Sequence, residues 1–350
     1  MSFASLKSWK TWALAGILLG LIVIPPVGRS TGNTYYQTLV FFTFLFVTLS
    51  VAWNIIGGYT GQVSFGHAAF YGLGAYITAI LWNQGLPPLL AVPVAGLIAG
   101  LYSLIIGYPT LRLRGPYFSI ATIGVSEATR ILMLNWEQVT GGASGLRMPT
   151  PPDIQSYAQQ FYYIGLVVMI GAIWVSTWIQ RSKFGLGLFA INMDHDAAES
   201  LGVNTARAKM LALAISAAIV GVAGSIYTQY VFYIDPQTVF GFSRGIDMIL
   251  MATIGGVGTV WGPVLGAVVF GVVQDRLSTA SLSFAGQTIS LVQFNLLLYG
   301  SLLILIMLFE PKGLVGLGER IARRIRGEGR APVVAPTLVP AADADGTAGR

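Results

Sequence analysis

VAWNIIGGYTGQVSFGHAAFYGLGAYITAILW, Val51–Trp82, decides the fold: two apolar stretches flank a glycine-rich interruption, and the whole segment lacks a charged side chain. Reading outward, no Asp, Glu, Lys or Arg occurs from Ser30 to Leu111. A water-facing surface cannot be built from such a run. The full chain of 350 residues is 54% hydrophobic and 10% charged, with a mean hydropathy of +0.70, whereas an average soluble domain is roughly 25% charged. These properties specify an integral membrane protein. The 43 glycines fit that class, because small residues let helices approach closely in lipid and irregular backbone survives there only inside a bundle.

Several function classes are excluded at this level. Cysteine is absent and only two histidines occur, which removes thiolate metal sites and leaves little for a histidine-based centre, so no metal is expected. The net charge of +6 comes from residues gathered at segment ends and in the C-terminal tail. That distribution orients a chain in a bilayer and does not describe a nucleic-acid-binding face. The motif HExxH is missing, and no acid–base cluster marks an embedded enzyme.

In chain order, Lys7 and Lys10 precede an apolar first segment, Trp12–Val27, which lacks a small-residue cleavage motif and is read as an uncleaved helix. Gln37–Ile56 has spanning length. The following GGYTGQVSFGHAAFYGLGAY, Gly57–Tyr76, is expected to enter the bilayer as a loop and leave as a helix ending near Trp82. Leu89–Tyr108 returns toward Arg112 and Arg114. Gly115–Trp136 starts with Pro116, a residue suited to a first helical turn. A polar stretch, Glu137–Gln160, precedes Phe161–Ile179. Beyond a charged loop come Met210–Tyr233, a polar outer connection IDPQTVFGFSRG (Ile234–Gly245), and Ile246–Val273, which is too long for one helix and carries GGVGTVWGP at its middle. Ile289–Phe309 is the last span, ended by Pro311. The tail carries Lys312, Arg320, Arg323, Arg324, Arg326 and Arg330, and is expected to lack order from Gly327 onward.

The charged loop and the tail are both basic, so both belong on the cytoplasmic side. An even number of crossings must separate them, and splitting the glycine-broken tract supplies it. The expected architecture is an all-α polytopic membrane protein of about ten transmembrane or re-entrant helices, six before the loop and four after, with both termini cytoplasmic. Its parts are residues 1–30 (N-terminal segment and first helix), 31–180 (first membrane half), 181–209 (cytoplasmic loop), 210–312 (second membrane half) and 313–350 (tail). Glycines 57, 58 and 61 and glycines 255, 256 and 258 are the expected helix breaks. Their similarity reads either as an inverted repeat, common in transporters, or as two turns that arose separately.

Polar residues inside a membrane must face a bundle interior or water. Asn54, Gln62, Ser64 and His67 gather at the first break, while Tyr117, Ser119, Thr122 and Glu127 lie along the helix after Arg114. These are the candidate translocation-pathway residues. His67 reads either as a hydrogen bond fixing the loop or as a solute contact. Glu127 and Arg130, three apart, read as a structural pair or a gate. Trp82, Trp136 and Trp178 read as interfacial anchors.

The charged loop, Arg181–Lys209, contains DAAESLG. Asp194 can cap a short helix there, Gly202 can take positive φ at its end, and Asn204 or Thr205 can cap the next span. The loop is either a solvated connector or a stiff lever offered to another protein, with Ala197 and Ala198 letting that partner approach.

The pattern D-A-A-x-x-x-G at Asp196–Gly202 resembles the EAA-x3-G cytoplasmic motif of ABC importer permeases, with Asp196 in place of Glu and without the motif's apolar, Pro-containing continuation. With GGYTGQVSFGHAAFYGLGAY, TLRLRGPYFSIATIG, EATR, TGGASGL, IGGVGTVWGPVLGA and GLVG after Pro311, the chain resembles the branched-chain amino acid ABC importer permease family, specifically its LivM-like subunit. That resemblance implies a heterodimer with a sister permease, two ATP-binding subunits and a periplasmic substrate-binding protein in a bacterial inner membrane. It implies an ATPase-coupling segment formed by Asp196, Ala197, Ala198, Glu199, Leu201 and Gly202, and import of branched-chain or other neutral amino acids. Urea and amide importers are related alternatives, and a self-sufficient secondary transporter is a third reading. The chain has no GxxxxGK[ST] loop and no Gly-Lys dipeptide, so ATP is expected to be bound by partner subunits, with no cofactor and no catalytic residue on this chain.

Overall fold

The computed structural model describes residues 3–279, 281–284, 287–290, 300–301 and 313–325. The fold is helical, with two short antiparallel strand pairs that the all-α reading did not contain. Helix α1 (Phe3–Thr31) runs through Pro25 and Pro26 without stopping. Helix α2 (Tyr35–Thr60) ends where Gly61 takes φ 72°, a left-handed value that glycine adopts at little cost. Residues 61–66 are non-helical, and α3 (His67–Asn83) begins after them. Helix α4 (Pro88–Thr110) starts on a proline, as does α5 (Pro116–Asn135). In both cases the residue lacking an N–H occupies a position with no helical partner for one.

A short helix α6 (Glu137–Thr140), one 3-10 turn and strand β1 (Leu146–Arg147) lead to α7 (Ile154–Arg181), whose first turn is capped by Asp153 accepting from the Ser156 N–H at 3.0 Å. Two helices then form the charged loop, α8 (Lys183–Met193) and α9 (His195–Ser200). Helix α10 (Thr205–Val231) follows, then β2 (Tyr233–Ile234), α11 (Pro236–Val239), α12 (Phe242–Gly255) and α13 (Trp261–Thr279). Strands β3 (Ser281–Phe284) and β4 (Gln287–Ser290) pair as a hairpin, and α14 covers Gly313–Ile325. The last span expected at Ile289–Phe309 lies almost wholly outside the described residues, and its first two residues belong to β4. The stretch from Gly327 onward also lies outside them.

Among the described residues, α2, α4, α7 and α10 are each long and apolar enough to cross a bilayer. The chain is a multi-pass membrane protein. Helix α2 is buried over most of its length, as expected of a helix that is apolar all round and sits inside a bundle. Helix α10 packs against α4, α3 and α2. Its crossing with α3 is a backbone contact: a Cβ added to Gly74 would lie 2.7 Å from the Gly221 Cα. Beside it, Thr78 donates to Ser225 at 2.6 Å, so the small residues of the crossing also satisfy one another.

Contacts sort the elements into two ends. At one end Arg114 meets Asp196, Asn192 meets the Gly58 carbonyl, and Gly313 packs on Gly255 and Gly256. At the other, β1 pairs with β2, Asn83 donates to the Arg147 carbonyl at 3.2 Å, and the Tyr35 hydroxyl donates to Asp275.

Three expectations are corrected. Gly57 and Gly58 do not break α2, which runs helically through both to Thr60; the departure is at Gly61, which alone of the three has positive φ. Likewise Gly255 is the last residue of α12, and the turn is made by Gly256 (φ 125°) and Gly258 (φ 81°). Finally, Ile234–Gly245 is polar only in part. Ile234, Val239 and Phe240 are buried, Phe240 stacks on Tyr76 at 5.7 Å, and Phe242 stacks on Phe65 at 5.9 Å. Its apolar half carries the chain back into the bundle beside the break at residues 61–66.

Candidate functional site

The charged loop is built by three caps in series. Ser182 ends α7 and accepts from the Gly185 N–H at 3.1 Å, opening α8. The Asp194 Oδ1 accepts from the N–H groups of Asp196 and Ala197 at 2.9 and 2.8 Å, opening α9. Gly202 turns the chain at φ 88°, and Asn204 accepts from the Arg207 N–H at 3.0 Å, opening α10. Each cap satisfies a backbone donor that a helix start leaves over. The loop is thus a folded handle with little slack.

Met193 and Leu201 flank α9 at 89% and 84% exposure, the largest values among the exposed large hydrophobics of the described residues. Ala197 is also exposed. Ala198, expected to face a partner beside it, is buried at 2%, because consecutive helical positions are about 100° apart and the second alanine turns inward. Asp196 is exposed and paired with Arg114, whose two terminal nitrogens donate to its two oxygens at 2.9 and 3.2 Å. The Arg114 guanidinium holds the Asp196 carboxyl below the ordinary aspartate range. Glu199 is exposed on the same short helix, with its carboxylate 3.9 Å from His195 Nδ1.

Besides the Arg114–Asp196 pair, a side-chain bond ties the handle to the end of α2. Asn192, the penultimate residue of α8, donates to the Gly58 carbonyl at 3.0 Å. One turn earlier in α2, the Asn54 amide donates to the Thr259 carbonyl at 2.8 Å and accepts from the Gly258 N–H at 2.9 Å. A Cβ on Gly58 would lie 2.7 Å from the Gly258 nitrogen, so the last turns of α2 and the turn after α12 are in backbone contact. The two glycine-rich stretches that look alike in sequence touch in space.

At the break before α3, Ser119 donates to the Val63 carbonyl at 2.7 Å, and Thr122 accepts from the Phe65 N–H at 3.1 Å. The polar face of α5 therefore supplies the hydrogen bonds that the interrupted backbone lacks. Ser64 and His67 are buried, with His67 Nδ1 at 2.9 Å from Ser64 Oγ and Nε2 at 2.9 Å from Ser216 Oγ. Because the Ser216 hydroxyl donates its one proton to the Ala52 carbonyl at 2.6 Å, it must accept from Nε2–H. His67 is thereby a neutral ring protonated on Nε2, accepting from Ser64 at Nδ1. Gln62 keeps a buried Oε1 without a hydrogen-bond partner among the described residues. Tyr117 is exposed, and Glu127 pairs with Arg130 on its own helix, bridging to no neighbour through that contact.

Sequence reading missed Asn192, Ser216, Thr259 and Met193. Ser216 had a legible signal, a hydroxyl in an apolar helix. Thr259 and Asn192 act through folded proximity to α2, which no local pattern carries.

A family model described as branched-chain amino acid transport system / permease component matches residues 35–307. The chain is 28% identical to the high-affinity branched-chain amino acid transport system permease protein LivM of Escherichia coli, over 85% of this chain and 73% of that protein. It is 26% identical to LivH of Salmonella typhimurium, over 83% of this chain and 94% of the relative, and 27% identical to BraD of Pseudomonas aeruginosa over the same shares. No solved structure matches it significantly. The matched region takes in both breaks, the handle and all four long apolar helices, and the chain belongs to the family of permease components of branched-chain amino acid transport systems.

Proposed function

We propose that this chain is one of two transmembrane subunits of a binding-protein-dependent ABC importer in a bacterial inner membrane, carrying branched-chain or other neutral amino acids inward. Two ATP-binding subunits hold and hydrolyse ATP, a sister permease completes the pathway, and a periplasmic protein delivers the solute. The observation that carries this reading is α9: a capped, polar handle whose flanking residues Met193 and Leu201 are both almost wholly exposed. Exposed apolar groups of that kind mark a protein interface. Asp196, Ala197, Glu199, Leu201 and Gly202 form its outer surface, with Ala198 beneath, and Asn192 transmits its position to the end of α2.

The orientation follows from charge. With the handle on the cytoplasmic side, Arg112, Arg114, Arg181 and Lys183 join it there, and six crossings precede it. Four crossings follow: α10, the dipping stretch through α12, α13, and the last span expected at Ile289–Phe309, most of which lies outside the described residues. Both termini are then cytoplasmic. Gln62, Ser64, Ser119, Thr122, Tyr117 and Glu127, around the first break, are the proposed pathway neighbourhood, in which Asn54 and His67 hold the backbone.

Reconstitution of the chain with its sister permease, ATP-binding subunits and binding protein into liposomes tests the reading. ATP-dependent accumulation of labelled leucine, isoleucine or valine supports it. Accumulation of urea or short amides in their place would make this an amide importer, and accumulation driven by an ion gradient without ATP would overturn it.

A further inference from the structure

One set of ionisable groups belongs to neither the handle nor the two breaks. Near the end of the bundle opposite α9, an open cavity of about 380 Å³ lies among α2, α10, α12 and α13. Arg244, Gln274 and Asp275 line it together with Leu39, Phe42 and Phe46. A cavity of that size holds a small solute.

Arg244 and Gln274 are under-matched in this cavity. The Arg244 side chain is mostly buried, and its ion-pair contact is Asp247 at 4.0 Å, the outer limit of such a contact. The guanidinium also faces the Tyr227 ring at 5.8 Å. Burying an arginine in an apolar region is costly, and the long Asp247 contact together with the Tyr227 side chain offsets only part of that cost. A carboxylate accepting two parallel N–H bonds would offset far more. Gln274 presents the complementary deficit: its Oε1 is buried without a hydrogen-bond partner among the described residues and requires a donor. Asp275, which accepts from the Tyr35 hydroxyl, adds a negative charge to the same cavity. A cation, a carboxylate and an unmatched acceptor beside an aromatic and aliphatic wall together describe the shape of one ligand class.

We propose that this cavity binds an α-amino acid as its zwitterion, with the carboxylate on Arg244, the ammonium at Gln274 and Asp275, and an aliphatic side chain against Leu39, Phe42 and Phe46. The proposal rests on the transport reading above and gives it a resting place for solute inside the membrane subunit. A zwitterion adds no net charge to the site, so its two ends can be matched without burying an unpaired ion. A neutral amide offers no carboxylate to Arg244 and would leave the guanidinium as it is.

The test uses the complete importer in liposomes, with saturating binding protein and labelled L-leucine. Arg244→Gln and Asp275→Asn are each expected to lower leucine uptake at least tenfold while binding-protein-stimulated ATP hydrolysis persists, and Arg244→Lys, which keeps the charge, is expected to recover part of the uptake. Wild-type uptake in Arg244→Gln would overturn the proposal. So would loss of assembly and ATP hydrolysis in Arg244→Gln and Arg244→Lys alike, since that marks a purely structural arginine. Absence of ATP-dependent leucine uptake by the wild-type complex would overturn the transport reading itself.

Discussion

Asn54 and Gly258 are joined by a hydrogen bond of 2.9 Å between the asparagine carbonyl oxygen and the glycine N–H, and the same side chain donates to Thr259 at 2.8 Å. One amide thereby closes both backbone groups that the turn after α12 exposes to α2. Removing it by Asn54→Ala leaves a partly buried N–H and C=O unmatched, each worth up to about 1–3 kcal/mol. The variant is expected to unfold in detergent at lower temperature than wild type. Asn54→Asp, which can still accept from Gly258 but not donate to Thr259, is expected to lie between them. Thermal unfolding of the three proteins checks the order.

The His67 bridge makes a second, sharper prediction. Because Ser216 has already given its proton to Ala52, the ring must donate at Nε2 and accept at Nδ1. Phenylalanine at 67 matches the ring's size and neither bond, leaving Ser64 and Ser216 without it at a cost of about 2–4 kcal/mol. Ser216→Ala removes the buried hydroxyl but leaves the ring Nε2–H without an acceptor, and is expected to cost somewhat less, about 1–3 kcal/mol. A larger loss of stability in Ser216→Ala than in His67→Phe would contradict the assigned bonding.

The crossing of α3 with α10 should tolerate no side chain. A Cβ at Gly74 meets Gly221 backbone, and one at Gly224 lies 3.2 Å from the Ala75 nitrogen. Neither neighbour is a flexible side-chain tip, so Gly74→Val has to push two helices apart. It is expected to abolish accumulation of the folded chain in the membrane, while Gly124→Val, on an open face of α5 with nothing within 4 Å, is expected to accumulate normally. Fluorescence-detected size exclusion of the two variants separates them.

The pair Arg114–Asp196 lies in water and contributes through geometry more than through stability. The Asp196 carboxyl is held below its ordinary value, chiefly by the Arg114 hydrogen bond. A depressed folded value means the contact is complete above the ordinary aspartate range and is lost only as pH falls through the lower, folded value. Uptake is therefore expected to show no Asp196-dependent change between about pH 5 and pH 8, a window lying above the ordinary aspartate range. At neutral pH, Asp196→Arg should impair uptake, and combining it with Arg114→Asp should restore part. Equal impairment in the single and double variants would remove the pair from the account.

Much of this was legible in the sequence because it depends on local chemistry. Asp194, Gly202 and Asn204 act within three residues of themselves, and the split of Ile246–Val273 follows from Gly256 and Gly258, whose positive φ no other residue adopts cheaply. The errors have an equally physical origin. Gly57 and Gly58 look like a break, yet a Cβ on Gly57 would strike the Trp53 ring and one on Gly58 would strike Asn54 and the Gly258 nitrogen. Ile234–Gly245 looks polar through Asp235, Gln237 and Arg244, but Asp235 is spent on capping α11 and the apolar Val239 and Phe240 decide where the segment lies. Helix α8 was missed because its apolar positions pack on α2 and α7, a relationship set by the fold.

The handle is the central claim, and Met193 and Leu201 give access to it without disturbing the bundle, as both side chains are almost wholly exposed. The decisive measurement is co-purification of the ATP-binding subunits with the chain carrying Met193→Asp and Leu201→Asp, with the sister permease as the internal standard. The account predicts that the permease pair is recovered intact while the ATP-binding subunits and ATP-driven leucine uptake fall at least tenfold. Undiminished recovery of those subunits together with wild-type uptake would contradict it.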